Sequence, residues 1–521
     1  MALEESTLQF MYVFQHNGQL AIEEFYLPFG GKLDPNNRWV VLSNLIPWLP
    51  MECQYAHSFS ATSGAPAKPF RMAFGAIYIQ QRLGVTDRET VELIMESPYL
   101  QYFIGMSGYQ YMRPFDPSMM VHFRKRIGPD LIKVCNQLTK ANGIAMIQQL
   151  LASCDEEGSG VEIGDLNAVE AELGVRPASD DPGSNWGTLM LDATCVPDDI
   201  PYPVDLRLLN EARETTELVI DKMFSEFRGE KIRKPRCNRD KARNLFLAFI
   251  KKKKPKKAEI REAKRFQLNE IRRNLLAIDK LIHCGATLSG LDSYLYRKLL
   301  VASELYRQQQ EMYDADKCRI DDRIVNLSKP HVRPIVRGKA GKKTEFGAKI
   351  SISDDNGFVD VDRISWDNYN ESKDLIQRVE QYKQDRGYYP ERVCADQIYI
   401  TWENKRFCNE RKIRLSGRGR GKKSEQKIES VEQQEIFKSD LRKRSVIEGR
   451  IGTSKRKYGL DRITTKLVAT SRSVIGMAMF VMNAEKILRL LRLLLALFVL
   501  LYLAIFIQAD YDRDEELVIA F

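Results

Sequence analysis

The chain has 521 residues, 44% hydrophobic and 29% charged, a globular balance that excludes a wholly disordered polymer and a polytopic membrane protein. At about 150 residues per domain the length allows roughly three domains. Lys and Arg number 80 against 70 Asp and Glu, a net charge of +10, which suits a polyanionic partner without requiring one.

Residues 1–150 read as a helical domain. RMAFGAIYIQQRL, 71–83, carries apolar residues at helical spacing and is broken by Gly84. Thr86-Asp87-Arg88-Glu89 then reads as a capping box opening a second helix over 89–96. A third start is written at Asp116-Pro117, an N-cap acid with proline at N1, leading to a helix whose Arg124, Lys125 and Arg126 sit near its C-terminal end. This predicts either a DNA-binding and dimerisation domain or a plain helical bundle with a solvated basic end. Residues 151–187 are acidic and rich in Gly, Ser and Pro over most of their length, as a linker is.

At Thr188 the texture changes to TLMLDATCV, an apolar run carrying one acid, Asp192, which predicts a buried strand. Residues 205–330 read as charged helices inserted after that strand. They hold two basic stretches, one with Lys231, Arg233, Lys234 and Arg236, the other with Lys251, Lys252, Lys253 and Lys254. These predict a surface for phosphate backbones, or else a solvated helical face. Beyond His331 strands return: 345–353 and 358–366 flank a turn at Asp354-Asp355-Asn356-Gly357, a hairpin signal. A helix is expected over 371–386 with Leu375, Val379 and Tyr382 on one face, closed by Gly387, and a strand over 392–399. Residues 413–423, with Arg418, Arg420, Lys422 and Lys423, read as a basic glycine-rich loop, and 431–452 as a helix. Neither GxGxxG nor a Walker A sequence occurs.

Three acids stand in elements suited to metal chemistry: Asp192 and Asp396 on or beside strands, and Glu448 on the late helix. Hard cations such as Mg²⁺ take carboxylate oxygens in preference to thiols or imidazoles. Arg444 and Glu448 share a helix face at four-residue spacing, and Lys455 follows seven residues after the acid. Asp198, Asp199, Asp360 and Asp362 are alternative acids if the strand register differs.

The spacing Arg444-x3-Glu448-x6-Lys455 resembles the glutamate signature of bacterial insertion-sequence transposases of the DDE class. Segments 191–213, 333–353 and 395–408 resemble the flanks of that family's first and second acids, and 98–126 its N-terminal domain. The resemblance implies an α/β, ribonuclease H-like mixed-sheet catalytic core over 188–485, with a helical N-terminal domain and a helical insertion. It implies a metal-binding triad of Asp192, Asp396 and Glu448, supported by Arg444 and Lys455. Two Mg²⁺ ions, with Mn²⁺ as a substitute, would serve cleavage at terminal inverted repeats and strand transfer into target DNA by a homodimer or higher oligomer. A nuclease that does not join strands and an inactive DNA-binding relative are the alternatives. One departure is Leu441, where the family signature has a Tyr.

Nine cysteines with no CxxC pair and five histidines argue against zinc fingers. The odd thiol count, and acids in MALEESTLQFMYVF where a secretion signal carries Lys or Arg, point to the cytoplasm, with its nucleoid DNA. The tail, 486–521, contains fifteen uncharged apolar residues at 493–507. A membrane span needs about 20, so this run reads as a buried or dimer-interface helix, with a membrane-associated tail or a disordered sticky end as the other options.

Overall fold

The computed structural model describes residues 21–59, 66–156, 172–174, 183–227, 233–336, 344–416 and 431–519, with Tyr12 and Phe14 ahead of them. Lys231, Arg418, Arg420, Lys422 and Lys423 lie outside these residues, as does most of the acidic linker. The chain divides into two compact units, one of residues 1–196, 350–364 and 369–521, the other of 197–349 and 365–368.

Among its described residues the first unit begins with seven α-helices: α1 (Arg38–Leu45), α2 (Trp48–Ala56), α3 (Phe70–Leu83), α4 (Asp87–Glu96), α5 (Pro98–Phe103), α6 (Met119–Arg126) and α7 (Pro129–Glu156). Local chemistry sets several boundaries. Gly84 closes α3 in the left-handed conformation, φ 68°. The Thr86 hydroxyl and Glu89 carboxylate cap α4 reciprocally, so the helix opens at Asp87, two residues earlier than expected. α6 opens at Met119 with Ser118 before it, because the Asp116 carboxylate accepts from the Ser118 amide and closes a turn rather than a helix.

Buried Arg71 crosses the interior of this bundle, donating to the Phe103 and Tyr102 carbonyls and to Ser43 Oγ, with its guanidinium over the Trp48 ring. A long helix, α15 (Val468–Ile519), re-enters the same core. Phe480 on it makes edge contacts with Phe74 and Tyr78, at 5.1 and 5.8 Å between ring centroids. Where α15 crosses α7, a Cβ on Gly143 would come within 2.6 Å of Ile487. Only glycine permits that approach.

The unit's sheet is built from β1 (Thr188–Pro197), β3 (Thr344–Asp355), β4 (Phe358–Ser365), β5 (Arg392–Ala395) and β6 (Arg414–Ser416). Its order is β4-β3-β1-β5-β6, and β1 pairs in parallel with β5, as β5 does with β6. A hairpin on one side of the first strand and parallel strands on the other make a ribonuclease H-like mixed sheet. The hairpin turns at Asn356 and Gly357, both at positive φ (49° and 84°), as a two-residue hairpin loop requires. α12 (Asp374–Arg386) covers β1 and β5: Leu375, Val379 and Tyr382 are buried with Leu189, Leu191 and Val393. Each such side chain contributes about 1.5–3 kcal/mol by leaving water. α15 ties into the other side, where Asn483 bonds both the amide and the carbonyl of Val359 and reaches Asn136 on α7.

Two expectations about strands need correction. β5 ends at Ala395 instead of running to Tyr399, because the Asp396 carboxylate accepts from the Gln397 amide and turns the chain into a 3₁₀ turn. Arg414–Ser416 is a strand and not part of a loop, since β5 offers it a parallel edge.

Among its described residues the second unit holds four α-helices: α8 (Asp205–Phe224), α9 (Arg239–Ile250), α10 (Lys257–His283) and α11 (Ser293–Asp314). Buried Arg213 on α8 is held by Glu217, Asn210 and, from α10, Gln267. A short strand that the sequence did not signal, β2 (Arg333–Val336), pairs antiparallel with the first residues of β3. The unit's entry and exit are clasped: Asp198, just past β1, accepts from Lys329 Nζ at 2.9 Å and Trp366 Nε1 at 3.1 Å. No helix of the described residues is long and apolar enough to cross a membrane. The apolar 493–507 run is continuous with the core helix before it.

Candidate active site

β1 and β5 are in parallel register with Leu191 opposite Ala395, so the next residue on each chain, Asp192 and Asp396, leaves the sheet at the same level. The two acids reach this level differently. Asp192 stays within β1, mostly buried, and its own next amide, Ala193, donates to it at 2.8 Å. Asp396 stands past the strand end, half-exposed, as the cap of the following turn.

The third acid comes from α14 (Val431–Lys457). Arg444 on this helix reaches both ways: one guanidinium nitrogen lies 3.5 Å from Asp396 Oδ1, another 3.2 Å from Glu448 Oε1 one turn on. Its Nε has no hydrogen-bond partner among the described residues. Burial raises the Asp192 carboxyl above the ordinary range, the Ala193 amide and Arg444 oppose this, and Asp396 and Glu448 add to it. All three acids and the arginine therefore act on one another electrostatically. Lys455, near the end of α14, donates to the Cys195 carbonyl at 2.7 Å and ties the helix to β1 three residues past Asp192.

The donor set is chemically apt for Mg²⁺, being carboxylate oxygens with no thiol or imidazole. Among the described residues, no three His, Cys, Asp or Glu side chains are gathered closely enough to hold a metal ion. Arg444 instead supplies the positive charge between Asp396 and Glu448.

The alternative acids are occupied elsewhere. Asp198 is the buried clasp of the second unit. Asp360 and Asp362 lie on β4, two strands from β1. Asp360 is held by Lys140 and Asn136 of α7 and by Arg378, while Asp362 takes Ser353 Oγ at 2.9 Å and Arg378 Nε at 3.4 Å.

Of the expected DNA-contacting cations, Arg124 is engaged within the bundle, with Nη2 2.6 Å from Asp87 Oδ2 on α4. Lys125 and Arg126 are exposed, Arg126 lying over the Phe59 ring. Arg233, Lys234, Arg236, Lys251, Lys252, Lys253 and Lys254 are exposed, with Lys234 paired to Asp221 and Lys252 to Glu259.

Sequence reasoning missed two tyrosines near the first acid, Tyr399 and Tyr369. Buried Tyr399, three residues after Asp396, has its hydroxyl raised by burial and by the charges of Glu371 and Asp192. Tyr369 shares Ser351 Oγ with Asp374. The Asp-x-x-Tyr spacing in a turn was the available signal for Tyr399. Nothing local marks Ser351.

Two family models match. The transposase domain DUF772 covers residues 28–126, which include α1 to α6, and the transposase DDE domain covers 393–485, with Asp396, Arg444, Glu448 and Lys455 inside it and Asp192 outside. A curated relative, the uncharacterized protein ORF8 in the nfe locus of Rhizobium meliloti, is 34% identical over 116 residues, 22% of this chain. The chain spans about half of that relative's length (54%). No solved structure matches. With two transposase domains matched in chain order, the second on the ribonuclease H-like core and its late helices, the chain resembles the DDE transposases of bacterial insertion sequences.

Proposed function

We propose that this protein is a DNA transposase that binds the terminal inverted repeats of its insertion sequence, cuts at the ends and transfers the freed 3′-hydroxyls to target DNA. The observation that carries this reading is the placement of Asp192 and Asp396 at one level of two adjacent parallel strands, with Arg444 reaching from the late helix to Asp396 and holding Glu448 beside it. Asp192, Asp396 and Glu448 are the residues that would hold Mg²⁺, or Mn²⁺ in its place. When bound, the ions lower the pKa of the attacking water or hydroxyl and stabilise the leaving oxygen.

The protein's own groups have distinct parts in this reading. Arg444 balances the acids and is placed to meet a phosphate once they bind metal. Lys455 fixes the end of α14 against β1. Tyr399 is buried within electrostatic reach of Asp192. Lys125, Arg233, Arg236 and the 251–254 lysines are exposed cations suited to the phosphate backbone, and the helical N-terminal domain is the part that reads the repeat ends. In this assignment residues 1–150 form the DNA-binding and dimerisation domain and 188–485 the catalytic domain.

The test is strand cleavage and joining on DNA carrying the element's ends, with Mg²⁺, for the wild type and for Asp192→Ala, Asp396→Ala and Glu448→Ala. The wild type should cut and join, and each variant should bind without doing either. Cleavage that survives loss of an acid refutes the triad. Cleavage without joining favours a nuclease, and binding without cleavage favours an inactive relative.

A further inference from the structure

α9 is an amphipathic helix without a covering partner among the described residues. Of its twelve residues only Ala242 is buried, while Leu245, Leu247 and Ile250 are 48%, 43% and 40% exposed. Leu245, Phe246 and Phe249, with Leu206 and Phe266, line a groove of about 300 Å³ between α9, α10 and the start of α8. The four lysines at 251–254 follow at the helix end, all exposed. Leu247 and Ile250 stand outside this lining, and the open apolar groove of Leu245, Phe246 and Phe249 marks a docking surface.

The charge beside the groove narrows the choice of occupant. In a parallel α9 to α9 contact between copies two lysine runs would meet, and in an antiparallel one each run would meet Arg239, Lys241 and Arg243 at the helix start. The fitting partner is an apolar helix that continues into acids.

This chain contains such a segment. Residues 493–507 are uncharged and apolar, and Asp510, Asp512, Asp514, Glu515 and Glu516 follow. The backbone there is helical to Ile519, and the last described side chains, Leu493, Leu495 and Val499, are 43%, 39% and 59% exposed. Lengths agree as well: at 1.5 Å per residue α9 spans about 18 Å and the fifteen-residue run about 22 Å. Both segments read apolar then charged in the chain direction, so laid side by side in parallel their charges are opposite.

We propose that the 493–519 segment of a second copy docks in the α9 groove, its apolar run on Leu245, Phe246 and Phe249 and its acids on the 251–254 lysines. The contact joins two copies through a surface that does not involve the acid triad. Because the same lysines are offered to DNA in the reading above, DNA and the acidic segment compete for them.

The experiment is sedimentation velocity of the full-length chain without DNA, at about 0.1 M salt where charge pairs act over about 10 Å, so its outcome does not depend on the transposase reading. One variant carries Lys251→Glu, Lys252→Glu, Lys253→Glu and Lys254→Glu. The other carries Asp510→Lys, Asp512→Lys, Asp514→Lys, Glu515→Lys and Glu516→Lys. The wild type should self-associate, each variant alone should associate at least tenfold more weakly, and an equimolar mixture should recover, since each groove then faces a segment of opposite charge. Leu245→Asp with Phe249→Asp should abolish association in every combination, with circular dichroism checking that each variant is folded. A monomeric wild type, a variant that associates as the wild type does, or a mixture that fails to recover each overturns the proposal.

Discussion

Asp362 offers a quantitative test of the packing on β4. It faces Asp360 and Arg363 on its own strand, Lys133 and Lys140 on α7, and Arg378, Asp374 and Asp385 on α12. Burial pushes its carboxyl up from the ordinary 3.8 to about 7; Arg378 opposes this shift, and the charge of Asp360 adds to it. A carboxyl raised in the folded state costs stability as the pH climbs from the unfolded value to the folded one, and the cost is level above it. At about 1.4 kcal/mol per unit the full shift sets a ceiling of about 4 kcal/mol at pH 8, and because the residue is open to water on one side the screened cost is about 1–2 kcal/mol. Asp362→Asn keeps the shape and the hydrogen-bonding capacity toward Ser353 and removes the ionisation. Urea unfolding of both proteins from pH 5 to pH 8 should show the wild type losing about 1 kcal/mol relative to the variant. Asp360 is the control of opposite sign: burial acts to raise it, but Lys140 and Arg378 prevail and hold it low, so its contribution is lost as the pH falls. Parallel pH profiles for the wild type and Asp362→Asn would refute the reasoning.

Phe480→Ala removes the ring that α15 sets against Phe74 and Tyr78, and should cost about 3–5 kcal/mol in chemical denaturation. Lys329→Met leaves Asp198 buried without its cation and should cost about 3–5 kcal/mol, much of it recovered in the double variant with Asp198→Asn. Gly143→Ala should cost about 1–3 kcal/mol, because the added methyl meets Ile487 where α7 and α15 touch. Arg444→Ala should change stability by less than about 1 kcal/mol, as its acid partners are half-exposed, yet reduce cleavage at least a hundredfold. A variant that is unfolded, or fully active, would remove Arg444 from the site.

The elements that announced themselves were those whose ends are fixed by local chemistry. The Thr86 box, Gly84, the Asn356-Gly357 turn and the Leu375-Val379-Tyr382 face each act within a few residues, and the structure has each of them. What escaped notice depends on distant partners. β6 has three residues and exists because β5 has a free edge. Arg124 reads as a surface cation until Asp87 is seen beside it. The level placement of Asp192 and Asp396 needs the pairing of Leu191 with Ala395, which lie about two hundred residues apart in sequence. Arg444 was legible as a neighbour of Glu448 by helical spacing, but its contact with Asp396 was not.

The clasp of Asp198 with Lys329 and Trp366 joins residues 131 positions apart. Once the two ends of an excursion are fastened, its length matters little to the element it departs from, since the entropy of closing a loop grows only as the logarithm of its length. The helices between Asp198 and Lys329 are in that sense an exchangeable cartridge. They can lengthen, shrink or be replaced while β1 and β3 keep their register, provided the three clasp residues remain, which lets the surface they carry diverge without disturbing the acids.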